Sequence, residues 1–423
     1  MTLQTLSTLA DVLMRDYDPV IRDQRNDEAV LVDKIQANVG VQPMANNSFY
    51  IKARAYGHGG WYTDDGAAGA DLSSGEVTYD EMTVPACYSY GTHQITDSSL
   101  VAAGGKPGAI VDVAADFAQG VKDSLRKEKN RMWLGRGGTD ADNAIIAVVN
   151  GAVSGTTVIL EYKDPAGVGT CTSGAPGLGT LHLQPGNILA VGTDAELGST
   201  TSVNAIVSTV DSITNFTSTA SVTLVDGDNV IRGTGASTAN ADDLEMNGFH
   251  NVVSASNTFQ NVARSTNFWA QAYLDETAEA LDETDMISCY LETKRRGGKP
   301  NIVLLGGAMF NKYASLLTSL KKSKDLKETL LGGFTGLEFA AGGAGIVCVL
   351  DWDVWYGDVW FPSLDPKFIT VCELGSGWLG ADQGLPMFQK TNVRSSYWAT
   401  YKFYGNLGLR VPASVGGLNK KTV

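Results

Sequence analysis

The stretch Lys294–Leu364, KRRGGKPNIVLLGGAMFNKYASLLTSLKKSKDLKETLLGGFTGLEFAAGGAGIVCVLDWDVWYGDVWFPSL, constrains the fold more than any other. It reads as a basic turn, a strand, a helix, a glycine-punctuated turn and two more strands. Asn301–Leu305 is almost wholly apolar, which predicts a strand covered on both faces. Met309–Leu320 has helical character, and Gly345–Leu350 and Val359–Phe361 return as strands. Glycine pairs stand at nearly every corner. No GxSxG, HExxH or P-loop lysine pattern occurs in the chain. A motif-free, glycine-cornered α+β module is suited to tiling against copies of itself.

The chain before this module divides by composition. Residues 1–47 read as a mostly helical arm: Leu6, Leu9, Val12 and Leu13 fall at helical spacing, Pro19 opens a second helix over Val20–Glu28, and Leu31, Val32 and Ile35 form a short apolar patch. Residues 48–96 alternate apolar and polar residues in two runs, SFYIKARAYGHGGW and EVTYDEMTVPACYSYGTHQI, around the small-residue tip YTDDGAAGADLSSG. That is an extended hairpin projecting towards a partner. Pro107 opens a long helix to about Trp133, with Ile110, Val113, Phe117, Val121 and Leu125 on one stripe and a basic, solvated C-terminal end at Lys122, Arg126, Lys127, Lys129 and Arg131. A second long helix is expected over Asn267–Arg296, stopped by Gly297-Gly298, and Phe368–Cys372 and Tyr397–Arg410 complete a mixed sheet.

Residues 151–250 differ in kind. Short runs (TTVILEY, GTLHL, NILAVG, VNAIVSTVDSI, ASVTLV, NVIRG) alternate with PAGVG, QPGN and VDGDN turns, the pattern of a small β-barrel or sandwich set into a larger domain. The segment carries ten acids against Lys163 and Arg232, more than half of the chain's net charge of −14. Binding phosphates needs clustered Lys and Arg, so this balance disfavours direct nucleic-acid recognition.

Five widely separated cysteines without a CxxC pair read as free thiols of a reducing compartment. The N-terminus lacks the basic-then-apolar pattern of a signal peptide, and no apolar run reaches membrane-spanning length. His58, His93, His182 and His250 are scattered and read as hydrogen-bonded surface or turn residues. Asp140-Ala-Asp142-Asn143 and Asp226-Gly-Asp228-Asn229 read as turns, since neither has the glycine and glutamate of a calcium loop. No metal or cofactor site is expected, and no constellation supports an enzyme.

The order of arm, loop (about 48–96), long helix (about 106–134) and mixed domains (about 252–410) resembles the major capsid proteins of tailed bacteriophages, with the Hong Kong 97-like fold. The local match is PNIVLLGGAMFNKYASLL followed by LLGGFTGLEFAAGGAGIVCV. The resemblance implies an N-terminal arm (1–47), an extended β-hairpin loop (48–96), a peripheral domain with spine helix (97–150), an inserted β-barrel domain (151–250) and an axial domain returning to the peripheral domain (251–423). It implies a virion shell protein assembled in the host cytoplasm into hexamers and pentamers around double-stranded DNA, without sequence-specific DNA binding and without a membrane. A separate scaffolding protein and a portal are implied partners, and a decoration protein is a further one. Some members carry Lys–Asn isopeptide links; Lys52 and Asn130 lie in matching elements, and the sequence shows no pairing between them. Other classes remain open: an encapsulin-like nanocompartment shell, or a secreted β-rich adhesin or surface-layer protein.

The residues expected at subunit contacts are Lys52, Trp61 and Tyr62 in the loop, the basic turn Lys294, Arg295 and Arg296, and Trp352 and Trp355. The last two belong to an aromatic cluster with Tyr356 and Trp360, read as packing at a contact.

Overall fold

The computed structural model describes residues 28–56, 76–97, 113–135, 145–161, 179–192, 203–233, 244–254, 258–320, 337–341, 344–381, 388–390 and 396–423. Along the chain these form helix α1 (Val30–Asn38), strands β1 (Val41–Pro43), β2 (Ser48–Tyr56), β3 (Thr78–Pro85) and β4 (Cys87–Thr96), and the long helix α2 (Val113–Leu134). Next come β5 (Ala147–Val149), β6 (Val153–Glu161), β7 (Ile188–Gly192), β8 (Val203–Val210), β9 (Asn215–Leu224) and β10 (Asn229–Arg232). After them lie α3 (Phe249–Val252), β11 (Thr258–Phe259), β12 (Val262–Ala263), β13 (Tyr273–Asp275), α4 (Glu283–Arg295), β14 (Ile302–Leu305) and α5 (Gly307–Leu320). The chain ends with β15 (Leu337–Ala341), β16 (Ala344–Leu350), β17 (Val359–Phe361), β18 (Ile369–Trp378), β19 (Gln389–Lys390), β20 (Ser396–Leu409) and β21 (Gly416–Leu418). The expected helices before Glu28, the loop tip and the start of the long helix at Pro107 lie outside the described residues.

The chain divides into two compact units. The described part of the smaller one holds most of β4, α2 up to Leu125, β19 and the first residues of β20. There Gln94 donates to Ser396 Oγ at 2.7 Å, and Trp378 and Tyr401 meet edge-on at 5.2 Å. All else described below belongs to the larger unit.

Strands β5–β10 close into a barrel in the order β10-β5-β6-β9-β8-β7. Its interior is almost entirely aliphatic (Val149, Val158, Leu160, Leu189, Val191, Val207, Leu224, Val230) around the ring of Phe216. Inward and outward residues alternate on β6, as a sheet with one buried face requires. Register shifts at Gly155/Thr157 and Val207/Thr209 are bulges, which add the local twist that closure needs. The barrel strands begin at Ala147, ahead of the expected start, and the run GTLHL is a turn rather than a strand: Thr180 donates its N–H to Ile213 and Leu183 plugs the interior.

A six-stranded sheet runs β13-β21-β17-β14-β16-β15. As its composition predicts, β14 is buried throughout and lies at the centre, parallel to β16 and antiparallel to β17. Helices α4 and α5 cover it through Met286, Tyr290, Met309 and Tyr313, and Phe339 meets Tyr290, Tyr313 and Phe361 edge-on at 6.2, 6.4 and 5.9 Å.

The long helix expected over Asn267–Arg296 is not formed. Residues Phe268–Ala270 make one 3-10 turn, Tyr273–Asp275 form β13, and only Glu283–Arg295 are α-helical. The C-terminus captures the intervening chain: β13 pairs in parallel with β21, Leu281 donates to the carbonyl of Thr422, and Thr422 donates to that of Glu279. Asp282 then caps the shortened helix by accepting from the N–H of Glu283 at 2.7 Å. Gly297 (φ +97°) ends it, as the sequence indicates.

Candidate functional site

Two clusters of buried charge lie around the C-terminal end of α2. Arg131, 3% exposed, donates to Glu128 at 3.0 Å and to Glu245 at 2.5 Å. Arg232 at the end of β10 donates to both Glu128 oxygens at 2.9 and 3.1 Å, to Asn187 Oδ1 at 2.8 Å and to the carbonyl of His182 at 2.7 Å. Burial alone would lift the Glu128 carboxyl, but Arg131 and Arg232 hold it well below the usual carboxylate range. Glu245, served by Arg131, is pushed upward by burial. The expected solvated helix end is therefore corrected: the 244–250 segment and the barrel cover it. Gly248 permits that approach, because a Cβ there would overlap the carbonyls of Met132 and Gly135. Lys129 also turns inward, 3.2 Å from the Phe403 ring, and burial lowers its ammonium to about 8.

One turn away lies a second cluster. Asp351 and Asp353, 1% and 2% exposed, follow β16. Asn130 Nδ2 donates to both Asp351 oxygens at 3.1 Å and to Asp353 Oδ2 at 2.6 Å, and the N–H of Asp353 reaches Asp351 Oδ1 at 3.0 Å. The first turn of α1, which has no capping side chain of its own, ends here. Leu31 donates its N–H to Asp351 Oδ2 at 3.3 Å, and Val32 donates to Asn130 Oδ1 at 3.2 Å. A carboxylate 320 residues away thus serves as the cap that the helix N-terminus requires. Burial and the neighbouring Asp351 raise Asp353 to about 7. His182 stands 3.6 Å from Asp353, beyond hydrogen-bond range, and burial beside Arg131 keeps its imidazole well below its usual value and neutral.

Two further histidine and lysine environments are structural. His250, 6% exposed, faces Asp358 and lies between Trp355 and Trp360 at ring distances of 4.4 and 4.8 Å. The expectation of surface histidines is thus corrected for His182 and His250; His58 lies outside the described residues, as does the side chain of His93. The acids Asp275, Glu279 and Asp285 approach one another closely enough to suggest a cation site, and Lys421 Nζ fills it at 2.9, 2.7 and 3.2 Å. The described cysteines are free thiols, and Asp228 closes its turn by accepting from Val225.

The expected contact residues are not brought together. Lys52 is 73% exposed and pairs with Glu81 on the outer face of the β2–β3 hairpin, beside Tyr50, Arg54 and Tyr79. The inner face of that hairpin (Ile51, Met82, Val84) packs on Val262, Ala270 and Cys372 of the same chain. Trp61 and Tyr62 lie outside the described residues. Arg295 is exposed and bound to Glu292 at 2.7 Å, and Lys294 reaches Tyr290 Oη at 3.3 Å. Arg296 turns inward and donates to the carbonyls of Gln271 and Ala272. Trp352 is 38% exposed, whereas Trp355, at 2%, is buried in its own subunit. Asn130 is fully enclosed, which leaves a lysine from outside no approach to its amide.

No family model matches the chain, and no curated protein matches it. Solved structures do. The cyanophage A-1(L) capsid asymmetric unit aligns over 99% of this chain and 100% of that one, with 12% identity and a TM-score of 0.53. The capsid of a native GTA particle aligns over the full length of both, with 9% identity and a TM-score of 0.50. The fold is that of capsid proteins. A similar alignment to the SrpI encapsulin of Synechococcus elongatus PCC 7942, at 7% identity and a TM-score of 0.49, adds nothing to this. Within a capsid-protein fold the buried clusters are joints that hold α1, α2 and the barrel in place.

Proposed function

We propose that the chain is the structural major capsid protein of a tailed phage, with the Hong Kong 97-like fold, self-assembling into hexamers and pentamers of an icosahedral head around double-stranded DNA. The end-to-end alignment with two capsid subunits carries this reading. The acidic balance of −14 supports a container that encloses DNA without reading it. On this reading residues 1–47 are the arm, 48–96 the extended loop, 97–150 the peripheral domain with α2 as spine, 151–250 an inserted domain holding every barrel strand but β5, and 251–423 the axial domain and its return. Lys52, Trp61, Tyr62, Lys294, Arg295 and Trp352 are the residues proposed to meet neighbours. A scaffolding protein, a portal and a decoration protein are the further partners proposed.

Electron microscopy of the purified chain, alone and with its scaffold supplied, tests the proposal. Uniform polyhedral shells with hexameric and pentameric rings are expected. Persistent monomers under every condition would refute it. Shells that hold one enzyme in place of DNA, identified by mass spectrometry, would replace it with a nanocompartment.

A further inference from the structure

Two carboxylates buried side by side cannot both be charged cheaply, and the Asp351–Asp353 turn places them on the seam between three elements. The described groups facing them include Asn130, Lys127 and Glu128 of α2, His182 from the barrel side, and the first turn of α1 through the N–H of Leu31. Of the two acids, Asp351 is the one suited to remain ionised. Its oxygens accept from Leu31, Asp353 and Asn130, and it sits at the positive end of α1. Asp353 accepts from Asn130 through Oδ2 and is the acid suited to hold a proton.

We propose that the Asp351–Asp353 pair is a proton-operated latch for α1: while the pair holds one proton α1 stays capped on α2, and loss of that proton loosens it. The joint is built so that relief is local. Moving α1 away takes the Leu31 N–H from Asp351 and the Val32 N–H from Asn130, a cost that hydration of the buried pair outweighs once both acids are charged. The sign follows from linkage. Asp353 binds its proton more tightly when α1 is docked than when the pair is hydrated, so docking is strongest in acid and weakens as pH rises through about 7. The Arg126–Asp33 pair also ties α2 to α1, and neither Asp351→Asn nor Asp353→Asn touches it. The latch is independent of whether the chain builds a shell.

Amide hydrogen exchange on the full chain at pH 5 and pH 8, corrected for intrinsic rates, reads the latch at Leu31 and Val32. The opening of α1 is expected to rise by at least about 10-fold from pH 5 to pH 8, while β14 keeps its protection. Asp353→Asn copies the protonated acid and is expected to remove the pH dependence, holding α1 at pH 8 as tightly as the wild type does at pH 5. Asp351→Asn replaces one acceptor by a donor facing N–H groups and is expected to loosen α1 at both values. The proposal is overturned by a flat wild-type profile, by an unchanged pH dependence in Asp353→Asn, by equal loosening in the two variants at pH 5, or by a change that β14 shares.

Discussion

The barrel and the six-stranded sheet bury comparable apolar interiors by opposite means. Barrel strands all pair antiparallel within one segment: β5–β6, β7–β8 and β8–β9 join consecutive strands, and β6–β9, β7–β10 and β5–β10 close the ring. The interior is aliphatic, needing no polar partners. The sheet joins strands from distant parts of the chain: β13 pairs with β21 at the C-terminus, and β14 with β16 beyond α5. Its margins are charged joints, Lys421 among three acids and Asp351 beneath α1. Pairing that closes within one segment makes a self-sufficient unit, whereas pairing drawn from distant parts of the chain is held in register by a few buried polar contacts. The sheet should therefore be sensitive to single charges where the barrel is sensitive to volume.

The largest effect is expected at the sheet's C-terminal joint. Lys421 is 1% exposed, and three acids around Nζ hold its ammonium above the usual lysine range despite its burial. Lys421→Ala would leave Asp275, Glu279 and Asp285 facing one another without a cation. A loss of about 3–5 kcal/mol is expected in urea unfolding. Hydrogen exchange should place that loss first at β13 and β21. A loss below about 1 kcal/mol would mean that β13–β21 pairing does not depend on the charge, and the contrast would fail.

A comparable loss with a different footprint is expected in the barrel. Phe216 is fully buried as the aromatic centre of an aliphatic interior. Phe216→Ala should cost about 3–5 kcal/mol, the range for emptying so large a buried volume. Exchange should accelerate in β6, β8 and β9 while β14 and β17 keep their protection. If both regions lose protection together, the barrel is not an energetically separate unit.

The same contrast decides what the sequence made legible. Alternation and turn residues identify most of the barrel strands, because burying one face is a local property of Val153–Glu161 or Val203–Val210, whichever strand each pairs with. Continuous hydrophobicity identifies β14, since Ile302–Leu305 has no polar face to expose. Sequence reading fails where distant chain decides. Residues 276–281 have a helical composition, yet the carbonyl and N–H of Thr422 hold them extended. Asp351 as cap of α1 is equally invisible, since α1 shows no capping residue nearby and its partner is 320 positions away. His182 and His250 look unremarkable in sequence because the Asp353 and Asp358 that face them come from other segments. The signal was the run Asp351–Asp358 itself: three acids spaced among Trp352, Trp355 and Trp360 are unusual for a strand-flanking turn that must be buried.

The smallest effects on the isolated fold separate folding from assembly. Lys52–Glu81 and Arg295–Glu292 are exposed pairs, one across the β2–β3 hairpin and one within α4. Pairs of this kind contribute at most about 1 kcal/mol, because water and salt screen them and long side chains must be ordered to form them. Lys52→Ala and Arg295→Ala should therefore leave the unfolding transition nearly where it is. If these residues meet neighbouring subunits, the same variants should lower shell yield severalfold in an assembly assay while the monomer stays folded. Trp355→Ala should behave oppositely, since its ring lies against His250 inside the subunit and its loss empties a buried site. An unaltered yield for both charge variants would remove Lys52 and Arg295 from the contact surface and leave Trp352, partly exposed beside the buried turn, as the described aromatic residue to test there.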